Sequence, residues 1–335
     1  MFNQNFTVVI PNLNLQALLQ EYGDKQQLRA LKTLLNRAKK SSIAHKTFNN
    51  TLAYLFGYVQ ATSLPIAAIE ALGAGIKAND AYWLRVDPIQ IQVEYKGVYL
   101  LGNSALALSN NEVEQLTTEL NELLQLEGLH LYIPLPHQWY LALAEDPQIT
   151  THPLPQLIGK ELSPYLPYGA KAKYWRKLLT ELQMLVHGSK VNQQRQAQGL
   201  PLIGGVWFWG EGKLPMLAPS VWKKLWTNNL LAKGFAGLGG VMTTPLPLSF
   251  NECLMSLQEE GDYLVVLDDA DAAQYDQQAW LALLQQWEQQ WFAPILLALK
   301  TKKIASCTFY TTDGAVFKLN RRSLWAWWRR FLFHK

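Results

Sequence analysis

The sequence predicts an α/β protein: a core sheet flanked by helices and assembled from both ends of the chain, with an inserted α+β domain between them. Three observations carry this expectation. A short apolar strand at residues 6–10 opens the chain and is followed by helical spacing over 28–40. Near the other end, residues 262–269 read Asp-Tyr-Leu-Val-Val-Leu-Asp-Asp, a buried strand emerging into carboxylates. Between the two, residues 82–143 give a hairpin, a helix and a second hairpin, the order of an α+β insert rather than of a doubly wound core. The expected division is 1–75 with 215–335 as the discontinuous core and 76–214 as the insert.

The elements follow in order. Leu28 to Lys40 carries apolar residues at helical spacing, and two further helices over 52–58 and 66–72 flank Pro65. Ile89, Ile91, Val93, Tyr95 and Val98 alternate, with Gly97 before the last, which predicts a hairpin over 82–101. Ser109 followed by Glu112 is a capping box opening a helix that runs to Leu126. Strands are expected at 129–133 and 139–143, a helix over 175–187, and a strand over 206–209. After the carboxylate-tipped strand come one long helix over 279–299, a strand over 305–311 and a final helix over 323–334.

Composition narrows the class. The chain has 335 residues, 49% hydrophobic and 17% charged, which is globular and long enough for a large core. No run approaches the roughly 20 apolar residues of a membrane span, so a cytoplasmic location is expected. A net charge of +4 is mild, and no nucleic-acid-binding signature accompanies the basic clusters. Cys253 and Cys307 are too few for a disulfide framework and are expected as buried thiols. The 13 tryptophans are expected mainly in the core. The last helix mixes indoles, phenyl rings and arginines, which suits docking on the core and also a weak membrane-surface contact.

Two ordered motifs point to a family. The first is Val-Asn-x-x-Arg-x-x-x-Gly from Val191, followed by Val-Trp-Phe-Trp-Gly-Glu-Gly-Lys-Leu-Pro from Val206. Asn192 and Arg195 lie three apart, so on a helix an amide and a guanidinium can face one anion. The glycine-punctuated strand would let backbone approach a ligand. The second runs Glu70-Ala-Leu-Gly-Ala-Gly-Ile76, then Asp80-Ala-Tyr-Trp-Leu-Arg85 and Asp87. Both resemble signatures of archaeal-type cofactor-independent phosphoglycerate mutases, which belong to the alkaline phosphatase superfamily. The Trp-x-Trp-Gly-x-Gly segment is also similar to that of a bacterial group labelled RpfE-type regulatory proteins. The departures are that His-Pro before the first motif is Ser189-Lys190, and Asn before the strand is Gly205.

The resemblance implies an alkaline-phosphatase-like core interrupted by a substrate-covering domain, with Asp80, Arg85, Asn192 and Arg195 as ligand-binding candidates. It also implies a two-metal site, which needs carboxylates and histidines holding two cations about 4 Å apart around a nucleophile. Where the mutases have Asp-Gly-x-Gly-Asp, this chain has Pro11-Asn12-Leu13-Asn14. The nucleophile segment Ser-Asp-Thr-Ala corresponds to 47–51, where only Thr47 or Thr51 offers a hydroxyl. The motif Asp-Glu-Ala-Gly-His-Asp corresponds to Asp271–Asp276 with Tyr275 in place of His, and an Asp-His pair corresponds to Asp313-Gly314. The six histidines have no metal-ligand spacing. Asp268, Asp269, Asp271 and Asp313 are the remaining metal candidates, suited to Mg²⁺, Mn²⁺ or Zn²⁺ only if the chain is active.

The sequence thus favours a catalytically degenerate mutase-like protein needing no cofactor, which binds a phosphorylated small molecule or a protein partner. An active phosphoryl-transfer enzyme with an altered site and a structural interaction protein are the alternatives.

Overall fold

The computed structural model describes residues 4–11, 28–58, 63–77, 80–267 and 277–324. In chain order the strands and helices begin with β1 (Gln4–Ile10), α1 (Arg29–Arg37), β2 (Lys39–Ser42), α2 (Phe48–Leu55) and α3 (Ile66–Gly73). They continue with β3 (Tyr82–Glu94), β4 (Gly97–Gly102), α4 (Asn110–Leu126), β5 (His130–Leu135), β6 (Gln138–Leu143), α5 (Ala172–Gly188), α6 (Lys190–Ala197) and β7 (Gly205–Gly212). The remainder are β8 (Trp222–Trp226), α7 (Leu230–Leu238), β9 (Met242–Thr244), α8 (Phe250–Met255), β10 (Gly261–Val266), α9 (Gln277–Trp287), α10 (Ala293–Lys300), β11 (Ser306–Thr311), β12 (Ala315–Asn320) and α11 (Arg321–Leu324).

The chain forms two compact units, Met1–Val59 with Met216–Lys335, and Gln60–Pro215. The expected boundary at residue 75 is displaced, because α3 packs on β7 and β3 and so belongs to the second unit.

The first unit is built on a seven-stranded sheet in the order β2-β12-β11-β1-β10-β8-β9. β1 runs parallel to β10 on one side and β11 on the other, and β8 and β9 extend the parallel set. Phe6, Val8 and Ile10 enter a core completed by α1, α9 and α10. The apolar runs at residues 8–10 and 263–266 suit parallel strands covered on both faces. The expected helix over 279–299 is one helical run containing a π stretch, Glu288–Phe292. The Glu288 carboxylate from that stretch accepts the backbone N–H groups of Ala30 and Leu31, closing the amino end of α1. β2 and β12 were not expected. Both are antiparallel additions at the sheet edge.

The second unit is a five-stranded antiparallel sheet, β4-β3-β6-β5 with β7 paired to β3. Along β3, Leu84 and Val86 face a core shared with α4 and α5. Alternation turns Trp83 to the other face, against Ala67, Ala68 and Ala71 of α3. The Ser109–Glu112 capping box opens α4 as its sequence requires. Both cysteines are free and buried. No helix among the described residues is long and apolar enough to cross a membrane. The expected Trp- and Arg-rich end of the last helix, 325–335, lies outside the described residues, as do Asn12, Asn14, Asp268, Asp269 and Asp271.

Candidate functional site

In a parallel α/β sheet, ligands gather beyond the carboxyl ends of the strands. In the first unit that edge is where β1, β8, β9, β10 and β11 end. The side chains described there are hydroxyls, amides and the Asp313 carboxylate; most are drawn into local structure, while the buried Thr244 hydroxyl at the end of β9 has no partner among the described residues. Thr227, fully buried after β8, accepts the Asn229 N–H at 3.1 Å. Asn229 caps α7 by accepting the Ala232 N–H at 3.0 Å, and Asn228 accepts the Leu246 N–H at 3.2 Å. After β11, the Thr311 hydroxyl donates to Asp313 Oδ1 at 2.5 Å, and the same oxygen accepts the Ala315 N–H at 3.1 Å. Asp313 is therefore the turn residue of the β11–β12 hairpin, a role that an Asp-Gly pair fills well.

The segment corresponding to the nucleophile forms the start of α2. Thr47 is its N-cap, accepting the Asn50 N–H at 3.3 Å. Thr51 lies one turn further in, fully buried, and its hydroxyl has no partner among the described residues. Thr47 is engaged as a cap and the Thr51 hydroxyl is enclosed, so neither is presented at the surface for in-line transfer. Hard divalent cations need charged oxygen donors, and a pair of them needs several. No group of three or more His, Cys, Asp or Glu side chains converges among the described residues. The donors described at this edge do not fit a two-metal centre.

In the second unit the nominated ligand residues are turned inward. Arg85 is 6% exposed and stands opposite Tyr140 of β6 and Trp209 of β7 in the strand register. Those two rings lie 5.5 and 4.8 Å from its guanidinium. Nη1 donates to Glu70 Oε2 at 2.6 Å, Nη2 and Nε donate to Asp87 Oδ1 at 2.7 and 3.1 Å. Tyr140 donates to Glu70 at 3.1 Å and Trp209 Nε1 donates to Asp87 Oδ2 at 2.7 Å. Burial pushes the Glu70 carboxyl above its ordinary value, outweighing the attraction of Arg85. Burial likewise raises the Tyr140 phenol, and the neighbouring Glu70 carboxylate adds to the shift. Asp80 sits exposed ahead of β3 and takes no part in the cluster.

Asn192 and Arg195 do share a face of α6, as their spacing predicts, and both are buried. Their groups are spent on the protein. Asn192 Nδ2 donates to the carbonyls of Val186 and Ile203 at 2.9 and 2.8 Å, and its Oδ1 accepts the Ile203 N–H at 2.9 Å. The three guanidinium nitrogens of Arg195 donate to Pro201 O at 2.7 Å, Glu112 Oε1 at 2.6 Å and Leu106 O at 2.6 Å. The two arginines share no partner. Both guanidinium groups are thus held in internal networks, because buried guanidinium nitrogens must be satisfied and carboxylates and carbonyls of neighbouring elements lie within reach. Glu70, Asp87, Tyr140 and Trp209 complete the first network and Glu112 the second; Glu70, Asp87 and Trp209 lie in the motifs and Glu112 in the capping box, but nothing local shows the pairings.

Trp-x-Trp-Gly-x-Gly serves packing as well. Gly212 has φ +147°, and a Cβ there would lie 2.6 Å from Pro65 Cβ, so its missing side chain lets the chain before α3 lie on β7. The close approach expected for a ligand is taken by the protein itself.

The family-model match overlaps this region. Residues 50–192 match the family model described as 2,3-bisphosphoglycerate-independent phosphoglycerate mutase. A protein of that name from Methanosarcina barkeri is 25% identical over 157 residues, which cover 46% of this chain and 38% of that protein's length. Among solved structures, the cofactor-independent phosphoglycerate mutase from Thermoplasma acidophilum superposes with a TM-score of 0.50 at 14% identity, over 95% of this chain and 90% of that one. The PH0037 protein from Pyrococcus horikoshii gives 0.59 at 13% identity, over 96% and 88%. At these identities the structural likeness is one of fold. The architecture is the alkaline-phosphatase-like one, and the chain is phosphoglycerate-mutase-like in that fold and in the sequence of residues 50–192.

Proposed function

We propose that this chain is a catalytically degenerate, cytoplasmic relative of the phosphoglycerate mutases with a regulatory, ligand- or partner-binding role of the kind the RpfE-type label denotes. The observation that carries the proposal is the carboxyl edge of the parallel sheet, where the described side chains are hydroxyls, amides and the Asp313 carboxylate, most of them already used in caps and turns. Such groups neither neutralise two cations nor supply a free nucleophile. A phosphorylated ligand would be held by groups other than Arg85 and Arg195, whose nitrogens are occupied.

The test is metal analysis of the purified protein, with Mg²⁺, Mn²⁺ and Zn²⁺ titrations followed by melting temperature and by interconversion of 2- and 3-phosphoglycerate. The expected result is no stoichiometric metal, no thermal shift and no turnover. A bound metal with turnover that Asp271→Asn abolishes would overturn the proposal. It would establish the second reading, an active phosphoryl-transfer enzyme. That reading has one observation in its favour: β10 lies between β1 and β8 and leads through Leu267 into Asp268 and Asp269.

A further inference from the structure

The second unit contains a cavity of about 240 Å³ that none of the mutase-like motifs assigns to a ligand. One wall is α5, through Leu179, Thr180 and Gln183; the opposite wall is the β3–β4 hairpin, through Ile89, Ile91 and Val98; Leu166 and the start of β7 close the rest. Gly204 explains how β7 starts so close to the hairpin. A Cβ there would fall 2.3 Å from Ile91 Cγ1, so any side chain would push the two apart. The cavity is thus bounded mainly by aliphatic carbon, the lining expected of a small-molecule site.

Arg176 is the one charged side chain in this lining among the described residues. The residue is exposed at the cavity's edge, and its Nε donates to Pro167 O at 2.8 Å, which tethers the side chain there. Its two terminal nitrogens have no acceptor among the described residues. A tethered guanidinium with free terminal nitrogens is pre-organised for a planar, bidentate anion such as a carboxylate. It contrasts with Arg85 and Arg195, whose three nitrogens are all taken. The volume sets the size of the rest of the ligand. A cavity of about 150 Å³ accommodates benzene and drug-sized pockets begin near 300 Å³, so about 240 Å³ suits roughly ten non-hydrogen atoms.

We propose that this cavity binds a small amphiphilic carboxylate, its apolar body between α5 and the β3–β4 hairpin and its carboxylate on Arg176. The site lies wholly within the second unit and is independent of whether the sheet edge in the first unit is catalytic.

Octanoate is the probe, titrated calorimetrically into the full chain, with octanol as the neutral counterpart. One saturable site is expected for octanoate, with weaker binding of octanol. Arg176→Gln should weaken octanoate by about tenfold or more while leaving octanol unchanged, since only the charged hydrogen bonds are lost. Thr180→Trp, at an exposed position of α5, should fill the cavity and abolish binding of both; a cooperative melt close to that of the wild type verifies its fold. The absence of saturable binding below about 10 mM octanoate would overturn the proposal. So would an Arg176→Gln protein, or a folded Thr180→Trp protein, that binds octanoate as the wild type does.

Discussion

Replacing Arg85 with methionine separates a structural role from a ligand-binding one. The substitution keeps an unbranched apolar stem of similar length and removes the charge between two carboxylates whose side chains are 11% and 1% exposed. Breaking a buried pair by removing one partner costs about 3–5 kcal/mol, because the remaining charge is left without compensation. Two carboxylates are stranded here, but the loss does not double. Glu70 already has a raised pKa and can take up a proton, leaving Asp87 with the Trp209 indole. For a unit of this size, about 3–5 kcal/mol corresponds to a fall in melting temperature of roughly 6–20 °C. Calorimetry is the suitable assay, since a chain of two compact units need not unfold in a single transition. Adding Glu70→Gln and Asp87→Asn to Arg85→Met should recover part of the loss, because a fully neutral cluster strands no charge. A melt for the single variant within about 1 kcal/mol of wild type, or a triple variant less stable than the single, would refute this account.

The same logic gives three further expectations. Asn192→Ala strands Ile203 N–H and leaves two carbonyls short of a donor, and urea denaturation should show a loss of about 1–3 kcal/mol. Burial alone would raise the Glu112 carboxyl, but hydrogen bonds from the Ser109 hydroxyl and N–H and from Arg195 more than reverse it, so its folded pKa lies below 4.5. A depressed carboxylate contributes stability that is complete above its unfolded pKa and is lost as pH falls through its folded one. Acid titrations of Glu112→Gln should lack that component of the wild-type decline below about pH 4.5. Thr51→Val replaces a fully buried hydroxyl that has no partner among the described residues. Stability should be unchanged or rise by about 1–2 kcal/mol, whereas a clear loss would mean that the hydroxyl is bonded in solution.

What could be read in the sequence was local or periodic. The capping box names both its partners within four residues, and α4 starts and ends where that box and its apolar spacing place it. The alternation around Gly97 gives β3 and β4, and the uninterrupted apolar run before Asp268 gives β10. The additions at the sheet edge were hidden for opposite reasons. β2 is Lys-Lys-Ser-Ser with every residue exposed, so no pattern marks it and only pairing with β12 makes it a strand. β12 has an apolar pattern, but the Asp313-Gly314 pair before it matches the Asp of an Asp-His metal motif as well as it matches a hairpin turn. The pairings of the candidate site residues are hidden by distance along the chain. Arg85 and Glu70 are 15 residues apart and Arg195 and Glu112 are 83 apart, and no helical or strand spacing connects either pair.

These pairings also bear on what a mutase-like sequence can signify. Glu70, Arg85, Asp87, Glu112 and Asn192 all fall within the matched residues 50–192, and every partner described for their polar groups lies in the second unit. Changing one member of such a network strands the others at a cost of several kcal/mol, so the set is hard to alter one residue at a time. An exposed polar group at the end of a core strand carries a smaller stability penalty; Asp313, for example, is exposed in a turn. A scaffold can therefore keep the buried motif of its insert after the strand ends have lost their chemistry. The motif is then informative about how the insert folds, and the assignment of catalysis falls to the carboxylates that follow β10.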